Sequence, residues 1–351
     1  MIDEIECICS VLLAILFAHA IGAANISWAA FSGYMVMRGH LTDSLLRGVL
    51  RIVGTACGAA LGLAIVPLVR ASLPAAAISG ALIGGLTLYG AMTGRRAYAW
   101  LFVGLTFEMV LLDTMEHPAH GIAAFARTRV LEVLAGTVAC VLVSCLSTVT
   151  ARRRWPAERT PSAKFAGWHP HAARHAMQAA SALLLLPFLW RAFAIPELAQ
   201  SAVTIMAVML VPLTSLGTSG LAPVSRRLVL RIAGCLAGSA LAALCLFAAR
   251  GAPAMSPAIL IAGSAIGVAI GRHIENSKSG IVYAGTQFTL AILVTLVPDS
   301  YADAAIGPAT ERLTGILVGM ALLEPVLLAW YWVIPRRPTN GTPAAPESTD
   351  L

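Results

Sequence analysis

Charge is scarce in this sequence: 12% of its 351 residues are Asp, Glu, Lys or Arg, and 58% are hydrophobic. A soluble domain carries about twice that charged fraction to coat its surface. The composition therefore excludes a water-soluble globular fold. Lysine is nearly missing, with Lys164 and Lys278 alone beside abundant arginine and alanine. A base-composition bias explains this, and no function follows from it. Seven cysteines (7, 9, 57, 140, 145, 235 and 245) stand inside apolar runs without a Cys-x-x-Cys pair. That placement argues against a zinc site or a disulfide framework and for small packing residues. No Gly-x-x-x-x-Gly-Lys-Ser/Thr loop, His-Glu-x-x-His pair or Gly-x-Ser-x-Gly elbow occurs. Neither familiar ATP hydrolysis nor an intramembrane enzyme is supported. No cofactor, metal or nucleic-acid partner is expected. The start, Met1 to Glu6, is acidic where a secretory signal is basic, so it reads as a retained first helix.

What the sequence has in quantity is long apolar runs. They fall near 5–22, 25–37, 48–69, 73–93, 97–114 and 128–150, then near 173–193, 197–217, 226–249, 255–271, 279–298 and 311–334. A bilayer is crossed by about 20 apolar residues, so the expected fold is an all-α membrane protein of about twelve transmembrane helices. The stretch Ala151–Pro170 is basic, with Arg152, Arg153, Arg154, Arg159 and Lys164 against Glu158. The positive-inside rule puts it in the cytoplasm, together with both termini. Alternation from there leaves 18 of the 24 basic residues inside and six outside, at 70, 127, 129, 191, 250 and 312. Trp28, Trp100, Trp190, Trp330 and Trp332 fall near span ends, as an interfacial aromatic belt places them. The expected units are a first six-helix repeat over 1–150, a linker over 151–172, a second six-helix repeat over 173–335 and a disordered tail over 336–351.

The halves repeat. Arg51-Ile-Val-Gly54 recurs as Arg231-Ile-Ala-Gly234, 180 residues on, and Arg47 and Arg227 keep that offset. Gly104-Leu-Thr-Phe107 recurs as Gly285-Thr-Gln-Phe288 at 181, and Arg129 and Gly136 recur as Arg312 and Gly319 at 183. Six spans per half make the repeats parallel, related by a pseudo-twofold axis along the membrane normal with a shared interface on it. Glycines four apart (Gly54, Gly58, Gly62; Gly234, Gly238; Gly80, Gly84; Gly263, Gly267, Gly271) let helices approach closely. Tight packing and a sliding gate both fit that pattern.

Trp28-Ala-Ala, then Arg47-Gly-Val-Leu-Arg51-Ile-Val-Gly54-Thr55, Tyr98 through Gly104-Leu-Thr106, and Arg129-Val-Leu-Glu132 with Gly136 resemble, in order, the fusaric-acid-resistance (FUSC) family. That family includes bacterial aromatic-acid exporters and is similar to aluminium-activated malate transporters. The resemblance implies export or conduction of organic anions across the bacterial inner membrane. It leaves room for a periplasmic adaptor protein and for a homodimer. Long family members carry a large cytoplasmic domain between the halves, where this chain has about 22 residues.

Candidate functional residues follow from charge in apolar surroundings. Glu108 stands within 97–114 with no basic residue a turn away; a carboxylate there is costly to ionise and suits a group that loads and unloads a proton. A structural hydrogen bond explains it equally well. On the repeat spacing its mate is Thr289, and Gln287, the mate of Thr106, offers hydrogen bonds to a carboxylate or phenol. Arg47, Arg51, Arg227 and Arg231 would concentrate organic anions at the cytoplasmic mouth, or serve as snorkelling anchors. Arg129 and Arg312 would receive the anion outside; Glu132 lies one turn from Arg129, whereas Gly315 takes that place beside Arg312. Glu324-Pro325 reads as a kink-stabilising pair. The histidines at 117, 120, 169, 171 and 175 have ligand-like spacing but read as incidental loop residues. Three functions remain open: a proton-coupled exporter of small organic acids, a passive anion channel and a non-transporting membrane scaffold.

Overall fold

The computed structural model describes residues 2–119, 121–157, 167–194, 198–213, 221–277, 280–297 and 306–333. Linker residues 158–166 and the tail after Pro335 lie outside the described residues. Among the described residues the chain is helical, with no strand. The first half comprises α1 (Ile2–Ala20), α2 (Ile26–Val36), α3 (Leu41–Val69), α4 (Leu73–Thr93), α5 (Ala97–Glu116) and α6 (Ile122–Val149). A single turn, α7 (Ala151–Arg154), begins the linker. The second half comprises α8 (Pro170–Phe193), α9 (Leu198–Met209), α10 (Leu221–Gly251), α11 (Ser256–Asn276), α12 (Val282–Leu296) and α13 (Gly307–Val333). Each expected apolar run overlaps one of these helices, α9 covering only the first part of 197–217, whose end lies outside the described residues.

Local chemistry sets several ends. Prolines open α4, α8 and α11, where the missing N–H has no partner to lose. Gly22, at φ 63°, turns the chain from α1 into α2. In lipid the backbone must satisfy itself, so the apolar runs have helix as their one economical conformation. Among the described residues, eight helices are long and apolar enough to cross a membrane: α3, α4, α5, α6, α8, α10, α11 and α13. The apolar α9 and α12 are shorter, at 12 and 15 residues. Large apolar side chains such as Leu68, Leu86, Leu146, Leu244 and Phe247 face outward. An outer surface of that kind needs lipid for a solvent, and the chain is a multi-pass membrane protein.

Packing in one half has its counterpart in the other. α3 packs on α5 and α6, and α10 packs on α12 and, more sparingly, on α13. α4 lies on α5 as α11 lies on α12. Between the halves, α4 meets α8 as α11 meets α1, and α5 meets α9 as α12 meets α2. Glycines make the tightest of these seams. A Cβ at Gly54 would come 2.6 Å from the Ala99 carbonyl oxygen and 2.9 Å from the Phe102 Cβ; one at Gly234 would strike the Ala284 carbonyl and lie 2.9 Å from the Gln287 Cβ.

Those contacts correct the register of the repeat. Ala99 answers to Ala284 and Phe102 to Gln287, an offset of 185 residues. Gly58 on Val103 and Gly238 on Phe288 give the same offset. The sequence match of Gly104 with Gly285 is therefore one helical turn out. Glu108 answers to Leu293 rather than Thr289, and Gln287 answers to Phe102 rather than Thr106. Small residues recur every turn on such faces, so similarity alone slips by four residues at little cost.

Candidate functional site

A cavity of about 180 Å³ lies where the two halves meet, lined by α2, α3, α5 and α6 from one half and α9, α10, α12 and α13 from the other. Seven of the nine candidate residues line it: Arg51, Thr106, Arg129, Arg227, Arg231, Gln287 and Arg312. Arg47 and Glu108 do not.

Arg51 and Arg231 are each 1% exposed, among the largest fully buried side chains. Burial to that degree rules out snorkelling to the headgroups. Both are held by side chains at matching positions. Arg51 donates to Ser32 Oγ and Tyr98 Oη at 3.2 Å, and its guanidinium lies over the Phe31 and Phe102 rings, 4.8 and 4.1 Å from their centroids. Arg231 donates to Thr204 Oγ1 at 3.2 Å, Tyr283 Oη at 3.3 Å and Gln287 Oε1 at 2.8 Å. One turn earlier, Arg47 lies over Tyr98 at 4.9 Å and Arg227 over Tyr283 at 4.4 Å. Arg227 also donates to the Leu210 carbonyl.

Arg129 and Arg312 sit deeper than an outer rim. Gly48 of α3 abuts Thr137 of α6; counting along antiparallel helices at equal rise puts Arg129 level with about residue 56, the middle of α3. There it pairs with Glu132 at 3.2 Å and lies over Trp28 and Phe125. Glu132 also accepts from the Asn25 backbone N–H at 2.9 Å. Trp28, expected in an interfacial belt, thus lines the cavity instead. Arg312 is 8% exposed and neighbours Arg231, Cys235 and Tyr283. Among the described residues it makes no ion pair, and its Nε has no hydrogen-bond partner.

The electrostatic sum is unusual for an interior. Five guanidinium groups and one carboxylate, Glu132, line the cavity. Burying cations without counter-charge costs several kcal/mol each after relaxation, and a bound anion offsets that cost. The lining adds Trp28, Phe31, Phe102 and several aliphatic side chains. It can therefore hold a small molecule with an anionic end and an apolar body.

Glu108 is elsewhere. Its side chain, 2% exposed, packs against α4, where Gly80 and Gly84 leave it room: a Cβ at Gly84 would come 2.9 Å from Oε1. Oε1 has no hydrogen-bond partner among the described residues. At about 100° per residue, Glu108 is turned some 160° from Thr106 around α5.

Sequence reasoning missed Tyr98, Tyr283, Phe31 and Phe102, which hold the arginines. Their signal was an aromatic or hydroxyl side chain at equal offsets from each repeated arginine, legible only in the corrected register. Arg272, one of the 18 basic residues expected on the cytoplasmic side, is buried, 3.1 Å from Glu275, which accepts from Tyr34 Oη at 2.8 Å. Glu324 accepts from Ser225 on α10 at 3.1 Å, beside Pro325. His169 caps α8 by accepting from the Ala172 N–H, and His175 bonds the Met209 carbonyl at 2.8 Å.

A helical multi-pass bundle enclosing a cationic cavity defines a membrane transport-related protein. Residues 13–143 match the family model described as fusaric acid resistance protein-like. Over those residues the chain is similar to that family. Comparison with curated proteins and with solved structures gave no match.

Proposed function

We propose that the protein is a secondary transporter that exports small organic acids, aromatic acids among them, across the bacterial inner membrane, with both termini cytoplasmic. The observation that carries this reading is the cavity itself, with its five arginines and one carboxylate between two helical halves. In this reading residues 1–150 and 173–335 are parallel six-helix repeats, and twelve helices span the bilayer. The paired seams and the paired environments of Arg51 and Arg231 support that arrangement. A pseudo-twofold interface is where transporters of this build hold substrate.

The roles follow from position. Arg47 and Arg227 stand one turn outside the buried pair and draw anions in. Arg51, Arg231, Arg129 and Arg312 supply counter-charge within the cavity, with Thr106 and Gln287 as neutral hydrogen-bonding groups. Glu108 serves as the proton-coupling group. Because it lies on another face of α5, its protonation acts by shifting α5 against α4 and not by touching the anion. A periplasmic adaptor and a homodimer remain part of the proposal's biology.

The position of Glu108 also favours a second reading, a passive anion channel that needs no carboxylate near the anion. A scaffold without transport predicts halves packed shut on the axis, and the cavity speaks against it. Uptake of labelled 4-hydroxybenzoate into liposomes, with and without an imposed proton gradient, separates the readings. Gradient-driven accumulation that Glu108→Gln abolishes is the expected result. Equilibration that ignores both gradient and substitution establishes the channel.

A further inference from the structure

The two sides of the cavity are built on one plan but carry different side chains. The packing offsets pair Phe31 with Val203, Met35 with Ala207, and Phe102 with Gln287, all of which line the cavity. At each pair the first half has the larger, apolar member, and the second half has the smaller or more polar one. Space and hydrogen-bonding capacity therefore lie toward the second half.

Charge is divided the same way. In the first half, Arg129 is paired with Glu132, and the Arg51 guanidinium lies over the rings of Phe31 and Phe102. In the second half, Gly315 stands where Glu132 would answer it, by the 183-residue offset that Gly136 and Gly319 share in packing on α2 and α9. Arg312 is more than nine-tenths buried, lines the cavity, neighbours Arg231 and makes no ion pair among the described residues. Among the described residues, Arg231 meets only neutral oxygens, those of Thr204, Tyr283 and Gln287. Two adjacent buried cations without a carboxylate form a place that an anion stabilises more than any other in the cavity.

Resting on the functional reading above, we propose that the cavity holds one anion at a time in a single orientation. Its carboxylate lies between Arg231 and Arg312, beside Gln287, and its apolar body lies against Trp28, Phe31 and Phe102. Arg231 and Arg312 are then the residues that select for a carboxylate, and the aromatic wall selects for a flat, apolar partner. A near-symmetric frame thus yields an off-axis site with a stoichiometry of one.

Photolabelling of the purified full chain with 4-azidobenzoate tests the orientation without any substitution. The azide lies opposite the carboxylate, so adducts that excess 4-hydroxybenzoate suppresses are expected on α2 and α5. Suppressible adducts on α12 or α13 overturn the orientation. Binding of benzoate to variants gives an independent check: Arg312→Gln weakens it at least ~30-fold, Arg312→Lys restores most of the loss, and the charge-balanced double variant Arg129→Gln, Glu132→Gln costs under ~3-fold. Benzamide affinity stays level across the set. Equal losses for that double variant and Arg312→Gln overturn the orientation while leaving the transporter reading intact. A wild-type chain that binds no aromatic carboxylate and gives no suppressible adduct overturns both.

Discussion

Around the cavity the first half of the molecule pairs a buried arginine with a carboxylate, and among the described residues the second half does not. Arg129 lies against Glu132 and the Arg51 guanidinium lies over two phenyl rings, whereas Arg231 and Arg312 stand beside hydroxyls, an amide and each other. The backbone frame is shared, since glycine seams and arginine positions recur at steady offsets. What differs is a handful of side chains: Phe102 against Gln287, Glu132 against Gly315, Phe31 against Val203. A similar contrast appears beside the cavity. Glu108 packs in the α4 seam of one half, while Leu293 takes its place in the other, near Tyr34 and the Arg272–Glu275 pair. In the proposed reading a repeated frame supplies the cavity between the halves, and the side chains that differ decide which side holds the ligand.

Exchanging the members of one pair is the sharpest way to break that comparison. Gln287→Phe removes the 2.8 Å partner of Arg231 and fills space in the cavity. It is expected to lower benzoate affinity by ~30-fold, whereas Phe102→Gln costs only ~3-fold. Titration calorimetry on the two purified variants reads the difference, and equal losses would mean that the halves contribute alike.

Next in size is a pair of substitutions for which the halves should agree. Gly54→Ala and Gly234→Ala each drive a methyl group into a carbonyl oxygen of the neighbouring helix. Both are expected to destabilise by about 1–3 kcal/mol, seen as lowered melting temperatures in detergent. A large gap between them would show that the two seams are not equivalent.

The smallest effect concerns the ends of the first helix in each half. Arg152 ties α7 to Asp3 and Glu6 of α1, and hydrogen bonding to Glu6 holds its pKa above the ordinary arginine value. Glu4 meets His273 at 3.2 Å from the end of α11. The start of α8 has a histidine cap and a 3.4 Å contact from Arg174 to the Trp330 carbonyl. Arg152→Ala should cost about 1 kcal/mol, and Arg174→Ala less, by the same melting assay.

Much of the fold could be read from the chain because lipid imposes a simple rule. Every apolar run holds a helix among the described residues, and the repeated arginines stood out because charge is so rare between them. The depth of Arg129 was not legible, since it depends on how far α6 slides along α3, which no single helix encodes. Nor was the face taken by Glu108, because α5 is apolar nearly all round and no polar stripe marks its cavity side. The register of α5 against α12 failed for a related reason: glycine and threonine recur each turn, and only contact with α3 and α10 fixes the true offset. Gly315 in place of Glu132 was visible, but its meaning depended on seeing Arg312 and Arg231 side by side.

The central claim is that organic anions cross this molecule through the arginine-lined cavity. It is tested most directly by flux of labelled 4-hydroxybenzoate into liposomes bearing either the wild-type chain or the double variant Arg231→Gln, Arg312→Gln, chosen to elute and melt as the wild type does. Saturable flux through the wild type that falls to the level of empty liposomes in the variant is the predicted result. Undiminished flux through the variant, or none through the wild type, would contradict it.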